Sequence, residues 1–404
     1  MLPTQVRRVN RNSTPIAVLR TQREMIQDSP VSLTSDRVHL STARSPKQHL
    51  RNLVFLEQNV NNGRFAGNQT VRFPKEYPWS PQKGPFKLSY ASIPREEVRF
   101  FGKGSIPQMP EHLGLTTKAN GKEFVLFPVH WELQDKYQRE GYSIEERGLV
   151  DVSASIRTVY IDPKAPPIKN APSIAGNDWA HTSIKMHFEH NIPGGIVGSR
   201  EITAQKAEIA PILTAVLEHL IQENRVSPYL KIMPESFAMA DKEGRGVIFR
   251  SIPEGELFPA FSLYSPLPKE GIQVTFEVLE GEQNSPLLAI DILNKVQKTQ
   301  KIEKLEAFSQ VFVEPLMDVI FSMAKEGISH EIHPQNLLFQ FEAETGKTKS
   351  IVLRDLHGLN YSVEARKRKG LPDLFSQEYL QKMGFSNVSP ETLNDFFRKD
   401  GKNH

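Results

Sequence analysis

Between Lys301 and Leu353 the hydrophobic period of the chain changes once and abruptly. Leu305, Phe308, Phe312, Leu316, Val319, Ile320 and Met323 recur at helical spacing from Lys301 to Lys325, with a kink expected at Pro315. Leu337 to Phe341 and Ser350 to Leu353 then alternate as strands on either side of Glu344, Thr345, Gly346 and Lys347, a good hairpin turn. The order helix, polar loop, hairpin, polar loop points to an α+β fold.

Upstream the elements are mixed in the same way. Ile209, Ile212, Leu213, Val216, Leu217, Leu220 and Ile221 form one apolar stripe and predict a helix over Ala204–Gln222. Glu123 to His130 reads as a strand, and Leu149 to Tyr160 as another. A bend is expected over Pro163 to Pro172. His181 to His190 then reads as a half-buried strand, ended by Pro193, Gly194 and Gly195. From about 52 to 112 the text is punctuated as at Tyr77, Pro78, Trp79 and Pro81, which predicts short strands and turns. Gly102, Lys103, Gly104 and Ser105 lack P-loop spacing and read as a turn. Residues 1–51 hold nine Lys or Arg against Glu24, Asp28 and Asp36, and are expected to be a flexible basic arm.

At 404 residues two or three lobes are expected. The net charge of +3 gives no argument for nucleic acid or an anionic membrane. Cysteine is absent, which excludes disulfides, thiol nucleophiles, iron–sulfur clusters and cysteine-ligated zinc. No secretory signal and no run approaching a membrane span is read from the sequence, so a cytoplasmic protein is expected.

The chemistry concentrates in Ser329 to Leu338 (SHEIHPQNLL) and in Arg354 to Gly358 (RDLHG). A hairpin returns close to its start, so Glu331, His333 and Asn336 before one strand should meet Asp355 after the other. Oxygen donors of this kind suit magnesium on nucleotide phosphates. The alternative is that His333 and Asp355 only cap and tie the hairpin. A second group comprises Ser155, Arg157 and Thr158 on a strand, then Lys185 and Arg200. Alternation would place Ser155 and Arg157 on one face, and Arg and Lys of this kind bind oxyanions, although each alone also suits a solvated surface.

Phe127–Trp131 (FPVHW), Ser155–Val159 (SIRTV), Ile184–Met186 (IKM) with Arg200, Gly246–Arg250 (GVIFR), and EIHPQN with RDLHG occur in an order that resembles the NRPS-independent siderophore synthetases, the IucA/IucC family. The resemblance implies a cupped hand of thumb, fingers and palm, with a kinase-like hairpin in the palm. It implies residues 1–51 as an arm or reduced thumb, 52–204 as β-rich fingers and 205–404 as an α/β palm. It further implies ATP and Mg2+ as cofactors, and activation of a polycarboxylate such as citrate as an acyl-adenylate for attack by an amine or alcohol. By matched position Ser155, Arg157, Thr158, Lys185, Arg250 and Asn336 would hold the nucleotide. Glu331, Asn336 and Asp355 would hold the metal, and Arg200 and His333 would face the substrate carboxylate. The partners expected are small molecules, with no nucleic acid and no membrane span, and a homodimer is allowed. A kinase-like small-molecule phosphotransferase and a non-catalytic ATP- or carboxylate-binding remnant are the alternatives.

Overall fold

The computed structural model describes residues 46–59, 85–104, 114–153, 157–162, 181–189, 201–264, 288–385, 388 and 392–393. Ten strands run from β1 to β10: Phe86–Pro94, Val98–Gly102, Thr116–Ala119, Lys122–Val129, Ser143–Val152, Thr158–Ile161, Thr182–Met186, Leu230–Ile232, Phe237–Asp241 and Gly246–Ser251. All except β8 join one antiparallel sheet in the order β2-β9-β10-β7-β6-β5-β1-β4-β3. Its hydrophobic face packs Val159, Ile184, Met186, Phe237, Val247 and Phe249 into one core. On the opposite face Ala238 and Ile248 pack against Ala207 and Ala210 of helix α2 (Ala204–Gln222), after α1 (Pro46–Asn59).

A second sheet, β11-β13-β14-β8, is built from β11 (Phe258–Pro259), β13 (Leu337–Phe341) and β14 (Thr348–Leu353), with β8 parallel to β14. It shares the largest core with α2, α3 (Leu288–Gln300) and α4 (Glu314–Lys325), through Leu217, Ile292, Val319, Phe339 and Ile351. β12 (Ile328–His330) and β15 (Leu359–Tyr361) form a separate two-stranded ladder.

The helix at Ala204–Gln222 and the hairpin around Gly346, which has φ +75°, agree with the sequence reading. Other expectations are corrected. Leu149 to Tyr160 is divided between β5 and β6, which pair through Val152 and Val159; apolar residues on both sides of the reversal read as one run. Arg157 lies just before β6, where its carbonyl accepts from Met186 N at 2.8 Å, and not within a strand. β7 is buried along its whole length rather than on one face. Residues 46–59 are helical, where short strands and an arm ending at 51 were expected: Leu50, Leu53, Val54 and Leu56 carry a helical stripe. β9 and β10, beyond residue 205, pair into the sheet that begins well before it.

The expected helix 301–325 is broken by a π turn, Ser309–Val313, and Pro315 sits in the first turn of α4, where its missing N–H costs little. Each π turn adds a residue and rotates the stripe. Leu305 and Phe308 are therefore exposed, and Ala307 and Val311 are buried in their place. The run Lys304–Lys325 has the length and apolar composition to cross a membrane, yet its Ala307, Val311, Phe312, Val319 and Met323 pack into the core. The expected bend at 163–172, the break at 193–195, Ser155 and Arg200 lie outside the described residues.

Candidate nucleotide site

Register places the cationic wall. Thr158 on β6 and Ile248 on β10 flank Lys185 on β7, and in the next row Tyr160 and Arg250 flank Ser183. Side chains alternate along a strand, so Ile184 and Met186 enter the core while Lys185 turns to the other face. There it is buried, with only 3% of its side-chain surface accessible.

The opposite wall consists of two loops zipped at both ends. Leu337 pairs with Leu353 at the root of the hairpin, and Asn336 O accepts from Arg354 N at 3.1 Å. At the far end His330 pairs with Leu359, and Glu331 N donates to Gly358 O at 2.9 Å. Glu331 to Asn336 and Arg354 to Gly358 are thus held side by side. Asp355 is in the left-handed region at φ +59° and ψ +59°, an uncommon conformation for a residue with a side chain. Its carbonyl oxygen accepts from Gly358 N at 3.0 Å and lies 3.3 Å from His330 Nε2, which pins the turn.

Between the walls lies a cleft of about 390 Å³. Arg157, Thr158, Lys185, Arg250, Glu331, His333, Asn336 and Asp355, all predicted from sequence, line it. So do Glu57, Ser153, Tyr160, Gln335 and Arg354, to which the sequence reading assigned no role. Glu57 had a signal: it stands one heptad after Leu50 on the buried stripe of α1, and a carboxylate there needs a partner. It accepts from Arg354 Nη1 at 2.7 Å. Glu235, fully buried behind the cleft, accepts from Arg250 Nε at 3.0 Å, and nothing in its neighbourhood of the sequence marks it.

At the centre two cations converge on one carboxylate. Lys185 Nζ binds Asp355 Oδ1, and Arg157 Nη2 lies 3.7 Å from Oδ2. Burial works to raise the Asp355 pKa, but Lys185, Arg157 and Arg250 overcome it and hold the carboxyl well below its usual range. Burial lowers Lys185 to about 8 against the opposing pull of Asp355. Burial and the nearby Lys185 also lower His357 to about 4, so it is neutral, its Nε2 2.7 Å from Lys206 O. His333 Nδ1 accepts from Gln335 N at 3.1 Å, which leaves the proton of the neutral ring on Nε2.

The ligating atoms of Glu235, Asp355 and His357 lie within 4.8 Å of one another. Arg250 and Lys185 already occupy those two carboxylates, so this group is an ion-pair network. Glu331 and Asn336 bring further oxygen donors to the same wall as Asp355, the ligand type that a hard cation takes. An anion is also visibly accommodated, because the Asp355 carboxylate itself sits against Lys185 and Arg157.

Comparison with solved structures assigns the fold. The chain is similar to ATP-bound aerobactin synthetase IucA from a hypervirulent pathotype of Klebsiella pneumoniae, with 13% identity and a TM-score of 0.52 over 92% of this chain and 66% of that one. The chain has the siderophore-synthetase fold. It is likewise similar to aerobactin synthetase IucC of the same pathotype, at 14% identity and a TM-score of 0.55 over 88% of this chain and 61% of that one. The petrobactin biosynthesis protein AsbB from Bacillus anthracis strain Sterne gives 14% and 0.50, over 89% of this chain and 64% of that one. The chain spans less than two thirds of the length of each of these proteins. No protein-family model matches it, and no curated protein does. Within the siderophore-synthetase fold of this chain, the cleft lies between the nine-stranded sheet and the loops of the β13–β14 hairpin.

Proposed function

We propose that the chain is an ATP-dependent ligase of siderophore-synthetase type. It activates a carboxylate of citrate or a related polycarboxylic acid as an acyl-adenylate and passes the acyl group to an amine or alcohol. The observation that carries this reading is the convergence of Arg157 and Lys185 on Asp355, in a cleft of a fold shared with an ATP-bound synthetase. On this reading the nine-stranded sheet forms the fingers, with β9 and β10 included, and the second sheet with α2, α3 and α4 forms the palm. The shared fold favours a ligase over the kinase-like phosphotransferase.

Arg157, Thr158, Lys185 and Arg250 present cations and a hydroxyl where phosphate charge has to be neutralised, with Ser155 assigned to the same task from sequence. Glu331, Asn336 and Asp355 supply oxygens for Mg2+, which when bound offsets charge on the phosphates. His333, a donor at Nε2, serves the substrate carboxylate, with Arg200 assigned to the same task from sequence. A carboxylate oxygen bonds to the α-phosphorus as the bond to pyrophosphate breaks. The amine or hydroxyl then bonds to the acyl carbon, AMP leaves and the nucleophile loses its proton. Catalysis on this scheme is positioning plus charge neutralisation, which is what a preset wall of buried cations provides. The test is product analysis with ATP, Mg2+ and a panel of polycarboxylic acids, using hydroxylamine as acceptor. Pyrophosphate and AMP with a hydroxamate are expected; ADP release would replace the ligase by a phosphotransferase, and no nucleotide turnover would leave a binding protein.

A further inference from the structure

Lys185 and Asp355 differ in their freedom to move. Lys185 projects from the middle of a fully buried strand, and only 3% of its side chain is accessible. Asp355 sits on a pinned turn, but 34% of its side chain faces the cleft, so its carboxylate can rotate away while the backbone stays. Any polyphosphate that reaches Lys185 and Arg157 has to take the place this carboxylate holds. A metal-free polyphosphate would bring roughly four negative charges beside a displaced carboxylate whose own cations, Lys185 and Arg157, are then taken by the phosphates, at low local dielectric. With a divalent cation on the phosphates, the displaced carboxylate gains a partner.

We propose that Asp355 is a specificity-determining residue: its carboxylate fills the anion position between Lys185 and Arg157 until a divalent cation draws it away, so the cleft takes a metal-complexed polyphosphate and rejects a free one. The proposal rests on the nucleotide reading above and adds to it. A residue that served only as a metal ligand would be silent without metal, whereas this one acts without it.

The test is calorimetry on the full chain with ATP and with inorganic tripolyphosphate, each in Mg2+ and in EDTA, for the wild type and Asp355→Asn. In the wild type Mg2+ should strengthen binding of either compound by about tenfold or more. In Asp355→Asn, metal-free binding should tighten by about tenfold over wild type, and Mg2+ should no longer help. Metal-free affinity that is unchanged or weaker in the variant overturns the proposal. Failure of the wild type to bind ATP in Mg2+ overturns the nucleotide reading alone, and tripolyphosphate in EDTA then decides the role of Asp355 by the same tightening. Should the Asn variant not fold, equal wild-type affinities for tripolyphosphate with and without Mg2+ overturn it.

Discussion

The two walls of the cleft are held in place by different means. Arg157, Lys185 and Arg250 belong to or adjoin adjacent strands of one sheet, so main-chain register sets their spacing. Glu331, His333, Asn336 and Asp355 sit on loops, held by the ladders at either end, by a left-handed turn and by side-chain bonds such as Arg354 Nε to Gln335 O. Each wall also has an arginine tied to a buried carboxylate, Arg250 to Glu235 and Arg354 to Glu57. On the proposed reading, the fixed cationic surface serves binding and the loop-borne surface serves turnover.

Breaking those arginine ties should produce the largest effect. Glu235→Ala leaves Arg250 buried beside Lys185 without its carboxylate, and removing one partner of such a pair should cost about 3–5 kcal/mol in urea denaturation. Glu57→Ala should cost less, about 1–3 kcal/mol, because Arg354 keeps its 2.7 Å bond to Gln335 O. Equal losses would show that the two walls are anchored alike.

Exchanging binding for turnover is the next test. Lys185→Met should weaken Mg·ATP binding on the order of 10- to 100-fold, the value of a charge-assisted contact. His333→Gln should leave that affinity within about threefold while lowering turnover by about 100-fold, as expected when a preset hydrogen-bond donor to the reacting carboxylate is misplaced. Loss of affinity in His333→Gln would merge the two walls into one binding surface.

The loop wall was legible because its groups lie within a few residues of two short strands, and a hairpin brings its own ends together whatever the rest of the fold does. The strand wall was legible only as a set of cations. That Lys185 faces Thr158 and lies one row from Arg250 depends on pairings between segments up to about 70 residues apart, for which the sequence has no local signal. Glu235 was invisible for a related reason: it stands between Pro234 and Ser236 as an ordinary polar residue, and only β10 brings Arg250 to it. Leu305 and Phe308 misled in the opposite sense. They obey a 3.6-residue period that the π turn interrupts, and a π turn has no residue signature in this stretch.

The smallest effect concerns proton linkage at the fixed wall. An unfolded Lys185 keeps its proton to about pH 10.5, whereas burial lets the folded one release it near pH 8. Between these values the unfolded chain binds more protons, so this group makes stability rise with pH from about 8 to 10.5. Nucleotide binding should run the other way. A phosphate on Lys185 favours the charged form, so affinity for Mg·ATP should fall as pH rises through about 8, at most tenfold per unit. Lys185→Arg keeps its charge at every pH in this range and should flatten both slopes while retaining binding. The measurement is calorimetric affinity and urea stability at pH 7, 8 and 9. If the affinity of the wild type stays level across that range while Lys185→Arg behaves identically, Lys185 does not meet the phosphates, and the strand wall is a structural ion-pair network rather than a binding surface.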